Sequence, residues 1–215
     1  MNSHTIKKGE CLSSIAEIYG FHDPDIIYNH SDNAQLKAKR SNPNVLCKGD
    51  KVNIPDKIEK KMPGADAQKH KFKAKGIRTH LRFLIEDFDG TSLANKSYVL
   101  EVGSEIYKGK TTGAGLIEQK VLAVETQGRL TVWLDDKETS SLMWPLEIGS
   151  LEPHDEVCGI QARLNNLGFD SGKVDGIVGP KTNAAVETFK RKNGLADNDT
   201  IDDETKNKLK QVYGF

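Results

Sequence analysis

The chain has 215 residues, of which 29% are charged and 36% hydrophobic, a profile typical of globular domains. Lysine plus arginine (31) equals aspartate plus glutamate (31), so the basic excess that nucleic-acid binding needs is absent. No stretch approaches the roughly 18 apolar residues of a membrane span, so we expect neither a nucleic-acid nor a membrane partner. The length suggests one or two ordinary domains, or two or three small ones.

The first nine residues lack the apolar core and the small-residue cleavage site of a signal peptide. We therefore expect a cytoplasmic protein, or one delivered to the periplasm or a target cell without a cleaved signal. The three cysteines match neither a disulfide framework nor a metal-binding pattern, and we expect reduced thiols at Cys11, Cys47 and Cys158.

The first predicted domain, residues 1–56, has the order strand, helix, helix, strand. A short strand is predicted around residues 5–7 and a last strand at 52–54, where Pro55 stops it. A second short helix is predicted at 26–28. The first helix is indicated by apolar residues at one-face spacing, with Gly20 suited to end it: Leu12, Ile15, Ala16 and Tyr19.

Residues 57–76 are predicted to be a linker. They carry seven lysines, one Pro-Gly pair and almost no large apolar residues. We interpret the lysine run as a solvated tether rather than a binding patch.

Residues 77–150 change to a strand pattern. Apolar residues alternate with other residues in three runs, centred on Phe83, Leu100 and Val132. Predicted turns separate them at residues 87–90, 103–104, 108–109 and 112–115. Several short strands with regular turns are typical of an antiparallel β-sandwich.

Residues 151–215 return to the helical period. A first helix is indicated by Val157, Ile160, Leu164 and Leu167, and Gly168 ends it. A loop rich in aspartate and glycine precedes Pro180, which suits the first residue of a second helix. Residues 193–194 end that helix, and a third helix is predicted to begin near Asp202 or Asp203.

The first domain resembles the LysM family through residues 6–16, 19–20, 42–44 and 46–55. This resemblance implies a βααβ fold and a shallow groove that binds glycans containing N-acetylglucosamine, such as peptidoglycan or chitin. Carried over onto this chain, the groove residues are Gly9, Glu10, Cys11, Leu12, Asn44, Val45 and Leu46.

Three features depart from the LysM pattern. Glu10-Cys11 stands where the family usually has Asp-Thr, Lys48 replaces a proline, and residues 30–40 form an added stretch. Loss of the threonine hydroxyl removes one hydrogen bond to a glycan, worth about 0.5–1.5 kcal/mol. The LysM fold also brings the loops of Cys11 and Cys47 toward one end. They are therefore either a crosslinking or metal-binding pair or two unrelated thiols.

The last domain resembles the small three-helix peptidoglycan-binding domain that accompanies cell-wall hydrolases. The resemblance rests on the Leu-Gly-Phe motif at 167–169, the Val-Asp-Gly-Ile-Val-Gly motif at 174–179 and shorter blocks around them. It implies glycan contacts at Asp175 and Gly176, although Asp175 also suits a purely structural role in the loop. Lys190 stands where glutamine is common, and Asp202 where glycine is common.

The middle segment resembles immunoglobulin-like sandwiches of the carboxypeptidase-regulatory type, which act as spacers or docking platforms. The resemblance is carried by residues 84–100 and 107–115. Together the three segments predict a multidomain α+β protein. Their combination is similar to LysM proteins associated with type VI secretion, whose partners would be spike, baseplate or effector proteins.

Neither a catalytic site nor a metal site is predicted. The six histidines include no HExxH motif, and we interpret residues 22–25 as a turn. Carboxylates cluster at residues 86–89 and 135–136, where aspartate favours turns. The sequence therefore predicts a non-catalytic peptidoglycan-binding protein without cofactors. The alternative is an adaptor of a contractile injection machine that uses these folds to dock proteins.

Overall fold

The computed structural model describes residues 2–58, 61, 63–71, 76–87, 89–135 and 137–214. These residues form helices and antiparallel sheets, which confirms the predicted α+β class. The chain divides into two compact units, one of Met1–Asn44 and Asp50–Ser150, the other of Val45–Gly49 and Leu151–Phe215. The four predicted segments with their boundaries stay a prediction. No described helix is long and apolar enough to cross a membrane.

In the N-terminal segment, two paired strands flank three helices in sequence. The strands are antiparallel, with Thr5 opposite Lys51. The α1 helix packs against α2, and α2 packs against the second strand. The elements are β1 (Asn2–Thr5), α1 (Leu12–Ile18), α2 (Asp25–Tyr28), α3 (Ala34–Lys39) and β2 (Lys51–Ile54).

The first strand lies earlier than predicted, since it ends at Thr5 rather than covering residues 5–7. One further hydrogen bond, from the Ile6 N–H to the Asp50 carbonyl, continues the pairing. The chain then turns away, because the Glu10 carboxylate accepts the Lys7 N–H and Gly9 has a φ of +86°.

The added stretch at residues 30–40 is helical and is hydrogen-bonded to β2. It forms a 3₁₀ turn at Ser31–Asn33 followed by α3. The Asn33 amide donates to the Asn53 carbonyl and accepts the Asn53 N–H. Arg40 Nε donates to Asp50 Oδ2 at 2.8 Å, and both side chains are almost fully buried. This stretch is therefore part of the module's framework.

The middle segment consists of two antiparallel sheets, one ordered β3-β6 and the other β5-β4-β7-β8. Both contribute to one hydrophobic core, which includes Leu100 and Leu130 from the second sheet and Ile117 and Val121 from the first. The strands are β3 (Arg78–Leu84), β4 (Ser97–Val102), β5 (Glu105–Lys110), β6 (Leu116–Leu122), β7 (Gln127–Trp133) and β8 (Ser141–Glu147).

The predicted turns in this segment are partly right. Turns occur at residues 103–104 and within 112–115, where the Thr112 hydroxyl accepts the Leu116 N–H. The turn predicted at residues 108–109 is wrong, because both residues lie inside β5. In the turn predicted at 87–90, Phe88 lies outside the described residues. Assignment of the two sheets to a β-sandwich family stays a prediction.

The C-terminal segment holds three helices, with α4 packed against the other two. Pro180 opens the second helix, and Asp202 caps the third by accepting the Thr205 N–H at 2.8 Å. Both predictions are confirmed. The helices are α4 (Val157–Asn166), α5 (Pro180–Lys192) and α6 (Asp203–Tyr213), and their buried core is Ile160, Leu164, Ala185, Val186, Phe189 and Leu209.

Candidate glycan-binding sites

The loop between α4 and α5 is organised by one buried side chain, that of Gln161, which is 1% exposed. Its carbonyl oxygen accepts the N–H groups of Asp175 (3.1 Å) and Gly176 (2.9 Å). Its amide nitrogen lies 3.0–3.1 Å from Asp175 Oδ1, the Ile177 carbonyl and Thr182 Oγ1. A buried amide with so many partners holds the loop in a single shape.

The predicted ligand residues Asp175 and Gly176 are both used by this loop. Asp175 Oδ1 accepts the Ile177 N–H at 2.9 Å and also faces the Gln161 amide. These two hydrogen bonds hold the pKa of Asp175 below its usual value. Gly176 has a φ of +78°, and a Cβ there would lie 3.1 Å from the Cys158 sulfur. A glycan contact at these two residues stays a prediction.

A second polar network fixes the start of the same loop. The Ser171 hydroxyl, almost fully buried, donates to the backbone carbonyl of Gln161 and lies 2.9 Å from Asn165 Oδ1. Asn165 also accepts the Ser171 N–H and donates to the Gly172 carbonyl. The sequence motif located this loop, but its dependence on Gln161, Asn165 and Ser171 appears only in three dimensions.

The loop presents apolar side chains outward. Val174, Ile177 and Val178 are 38%, 68% and 47% exposed. Apolar side chains on a rigid loop can cover the methyl groups and ring faces of a sugar or of a protein partner. These three residues belong to the sequence motif, which predicted no ligand role for them.

In the N-terminal segment, the predicted groove residue Glu10 is held by its own module. Its carboxylate lies 2.7 Å from His4 Nε2, and the other histidine nitrogen lies 3.2 Å from the Tyr19 hydroxyl. Partial burial acts to raise the pKa of Glu10, but the bonds from His4 and from the Lys7 N–H lower it below the usual value. Glu10 therefore stabilises the turn between β1 and α1.

The two predicted sides of the groove are joined by hydrogen bonds. The Leu12 N–H donates to the Pro43 carbonyl at 3.1 Å, and the Ser13 hydroxyl donates to Asn44 Oδ1 at 3.0 Å. Leu12 is fully buried and Cys11 is 6% exposed, so their side chains belong to the module's interior. Gly9 is half-buried and Asn44 exposed.

The last two predicted groove residues differ in exposure. Val45 is half-buried and Leu46 is buried. The assignment of all seven residues to a glycan groove stays a prediction.

The three cysteines form no disulfide in this structure, so Cys11 and Cys47 are not crosslinked in it. Among the described residues, no group of three or more histidine, cysteine, aspartate or glutamate side chains could hold a metal ion.

The Asp87 carboxylate accepts the N–H groups of Asp89 and Thr91, as expected for a turn.

Asp135 also holds a turn. Its carboxylate accepts the backbone N–H groups of Lys137, Thr139 and Ser140 and the Thr139 hydroxyl. Its sequence neighbour Asp136 lies outside the described residues.

These contacts define the C-terminal segment as a three-helix domain. The rigid loop between α4 and α5, which contains Asp175 and Gly176, is called the Asp-Gly loop below. Residues 153–209 match the family described as "Putative peptidoglycan binding domain". The C-terminal segment is thus a domain of the peptidoglycan-binding type, as its sequence motifs predicted. No curated protein and no solved structure matches the chain.

Proposed function

We propose that this protein is a non-catalytic, modular protein that binds the glycan strands of peptidoglycan. The observation that carries the proposal is the family match over residues 153–209, on a domain whose loop is rigidly held by Gln161. A pre-organised loop supports binding, because little conformational entropy is lost when a ligand docks.

The N-terminal segment supports the same function as a LysM-type module. It has an antiparallel strand pair around helices, and hydrogen bonds join the segments of Leu12 and Asn44 that would flank the glycan. Two glycan-binding modules in one chain would raise the apparent affinity for a multivalent wall through effective concentration.

The non-catalytic part of the proposal is supported by the carboxylates of the middle segment. Asp87 and Asp135 each accept backbone N–H groups of their own turns. A glycosidase needs two carboxylates facing each other across a sugar-binding cleft. The carboxylates of Asp87 and Asp135 instead serve their own turns, which supports a structural role for both.

Co-sedimentation with purified sacculi tests both parts of this function. We expect the full chain to pellet with sacculi and to release no soluble muropeptides over hours of incubation. Protein that remains in the supernatant would contradict binding, and steady release of muropeptides would contradict the non-catalytic assignment. A hydrolase of known activity on the same sacculi serves as the positive control for release.

A second candidate function is protein docking within a contractile injection machine. It is favoured by the N-terminal loop, where Glu10 is held by His4 and the side chains of Cys11 and Leu12 are buried. Such a loop offers few side-chain groups to a sugar. Stable co-purification with spike, baseplate or effector proteins, without sacculus binding, would favour this function over the first.

A further inference from the structure

We infer that the glycan strand is recognised on α6 of the C-terminal domain, in a shallow groove beside Leu195. The inference rests on the proposed peptidoglycan binding and names the surface responsible for it. The groove has a volume of about 600 Å³, and its lining residues are Leu195, Glu204, Asn207, Lys208 and Gln211.

The four helical residues form one continuous stripe. Their spacing of i, i+3, i+4 and i+7 from Glu204 places them on one side of α6. The opposite side carries Thr205 and Leu209, which are 1% and 0% exposed and face the domain interior. The helix therefore presents a polar stripe outward while its other face anchors it.

The polar groups of this stripe are uncommitted. Among the described residues, the side chains of Glu204, Asn207, Lys208 and Gln211 form no hydrogen bond or ion pair within the protein. The Asp-Gly loop differs, because the N–H of Gly176 and one carboxylate oxygen of Asp175 are already bonded to their own domain. Hydrogen-bonding capacity for a ligand is therefore available on α6.

The chemistry of the stripe fits an acetamido sugar. The side-chain amides of Asn207 and Gln211 each donate and accept, as the acetamido group of N-acetylglucosamine does. Half-buried Leu195 offers apolar surface to the acetyl methyl group, and Lys208 and Glu204 can bond hydroxyl groups. An open, shallow groove suits an extended oligosaccharide better than a compact ligand.

The test compares sacculus binding by three forms of the full chain: wild type, Asn207→Ala/Gln211→Ala, and the control Asn183→Ala/Thr188→Ala. The control removes two uncharged polar side chains from α5 of the same domain, outside the groove lining. We expect the groove variant to bind about tenfold more weakly, because two net hydrogen bonds are lost, and the control to bind like wild type.

A groove variant that binds like wild type would overturn the inference and leave the proposed function standing. Wild-type protein that fails to pellet would overturn the proposed function itself. As a measurement without mutation, the side-chain NH₂ resonances of Asn207 and Gln211 should shift on addition of N-acetylglucosamine tetramer. Unchanged resonances at saturating tetramer would also contradict the inference.

Discussion

Lys190 shows how one buried charge is accommodated in the C-terminal domain. Its side chain is 0% exposed, and its ammonium group donates to Asn198 Oδ1 (2.7 Å), Asp202 Oδ2 (2.9 Å) and the Thr200 carbonyl (3.2 Å). A buried lysine is tolerated only with such partners. The two positions that depart from the usual glutamine and glycine therefore form a single interaction, and each explains the other.

The first prediction is that Asp202→Asn destabilises the domain by about 1–3 kcal/mol, because the Lys190 charge loses its carboxylate partner. Asparagine is as good a helix N-cap as aspartate, so the substitution removes the negative charge and keeps the cap. Urea unfolding followed by circular dichroism measures the effect. The control is Asp203→Asn, whose side chain is 94% exposed. Equal midpoints for the two variants would contradict the prediction.

The same pair predicts a pH dependence of stability. Bonds from the Thr205 hydroxyl, the Lys190 ammonium group and the Thr205 N–H hold the pKa of Asp202 well below its usual value. A carboxyl group with a lowered pKa stabilises the fold above its unfolded pKa of about 4, and this contribution is lost as the pH falls further. The stability difference between wild type and Asp202→Asn should therefore shrink below about pH 4. A difference that grows there would contradict the sign.

In the sequence, Lys190 and Asp202 are two separate departures from the usual residues of this type of domain. Their contact could not be predicted, because the residues belong to different elements and are twelve positions apart. Gln161 has no signal of its own in the sequence, since its four loop contacts and its contact with Thr182 of α5 depend on how the chain returns to α4. Asp175 and Gly176 were found from the motif alone, which marks the loop but not what holds it.

Among the elements, β5 was the clearest error, and Gly109 explains it. This residue lies opposite Tyr98 in the antiparallel pair of β4 and β5. A Cβ at position 109 would lie 2.9 Å from the Tyr98 hydroxyl and 3.0 Å from its ring. The glycine thus makes room for a buried aromatic ring, whereas a Lys-Gly pair in sequence is more typical of a turn.

We predict that Gly109→Ala destabilises the sheet by about 1–2 kcal/mol, because the Tyr98 ring must shift to admit the methyl group. The control is Gly113→Ala, where nothing lies within 4 Å of the added Cβ and φ is not in the left-handed region. That change should alter stability by no more than about 0.5 kcal/mol. Thermal unfolding of both variants measures their stabilities. An equal loss of stability in the two variants would rule out the role given to Tyr98.

Other elements were predictable to the extent that their burial is one-sided. The α4 helix was predicted because its apolar residues repeat at helical spacing and end at Gly168, which has a φ of +83°. The α3 helix was missed because Leu36 is its only buried residue. Strand β8 was missed because it lies at the edge of its sheet with none of its residues fully buried, so its sequence shows no clean alternation.

Across the full chain, we assign peptidoglycan recognition to the C-terminal domain and a supporting role to the N-terminal segment. The groove beside Leu195 had no signal in the sequence, because it combines a loop residue with exposed polar residues of α6. Exposed polar residues are common on any helix, and only the fold shows which of them line a concave surface.

The decisive experiment is a titration of the isotopically labelled full chain with soluble glycan fragments of peptidoglycan from which the stem peptides have been removed. The NMR chemical shifts of the backbone amides are recorded at each step. We expect shifts concentrated within residues 153–209, largest near Leu195 and along α6, and few in the strands of the middle segment. Shifts confined to residues 2–54, or a spectrum that does not change at millimolar fragment concentrations, would contradict glycan recognition by the C-terminal domain.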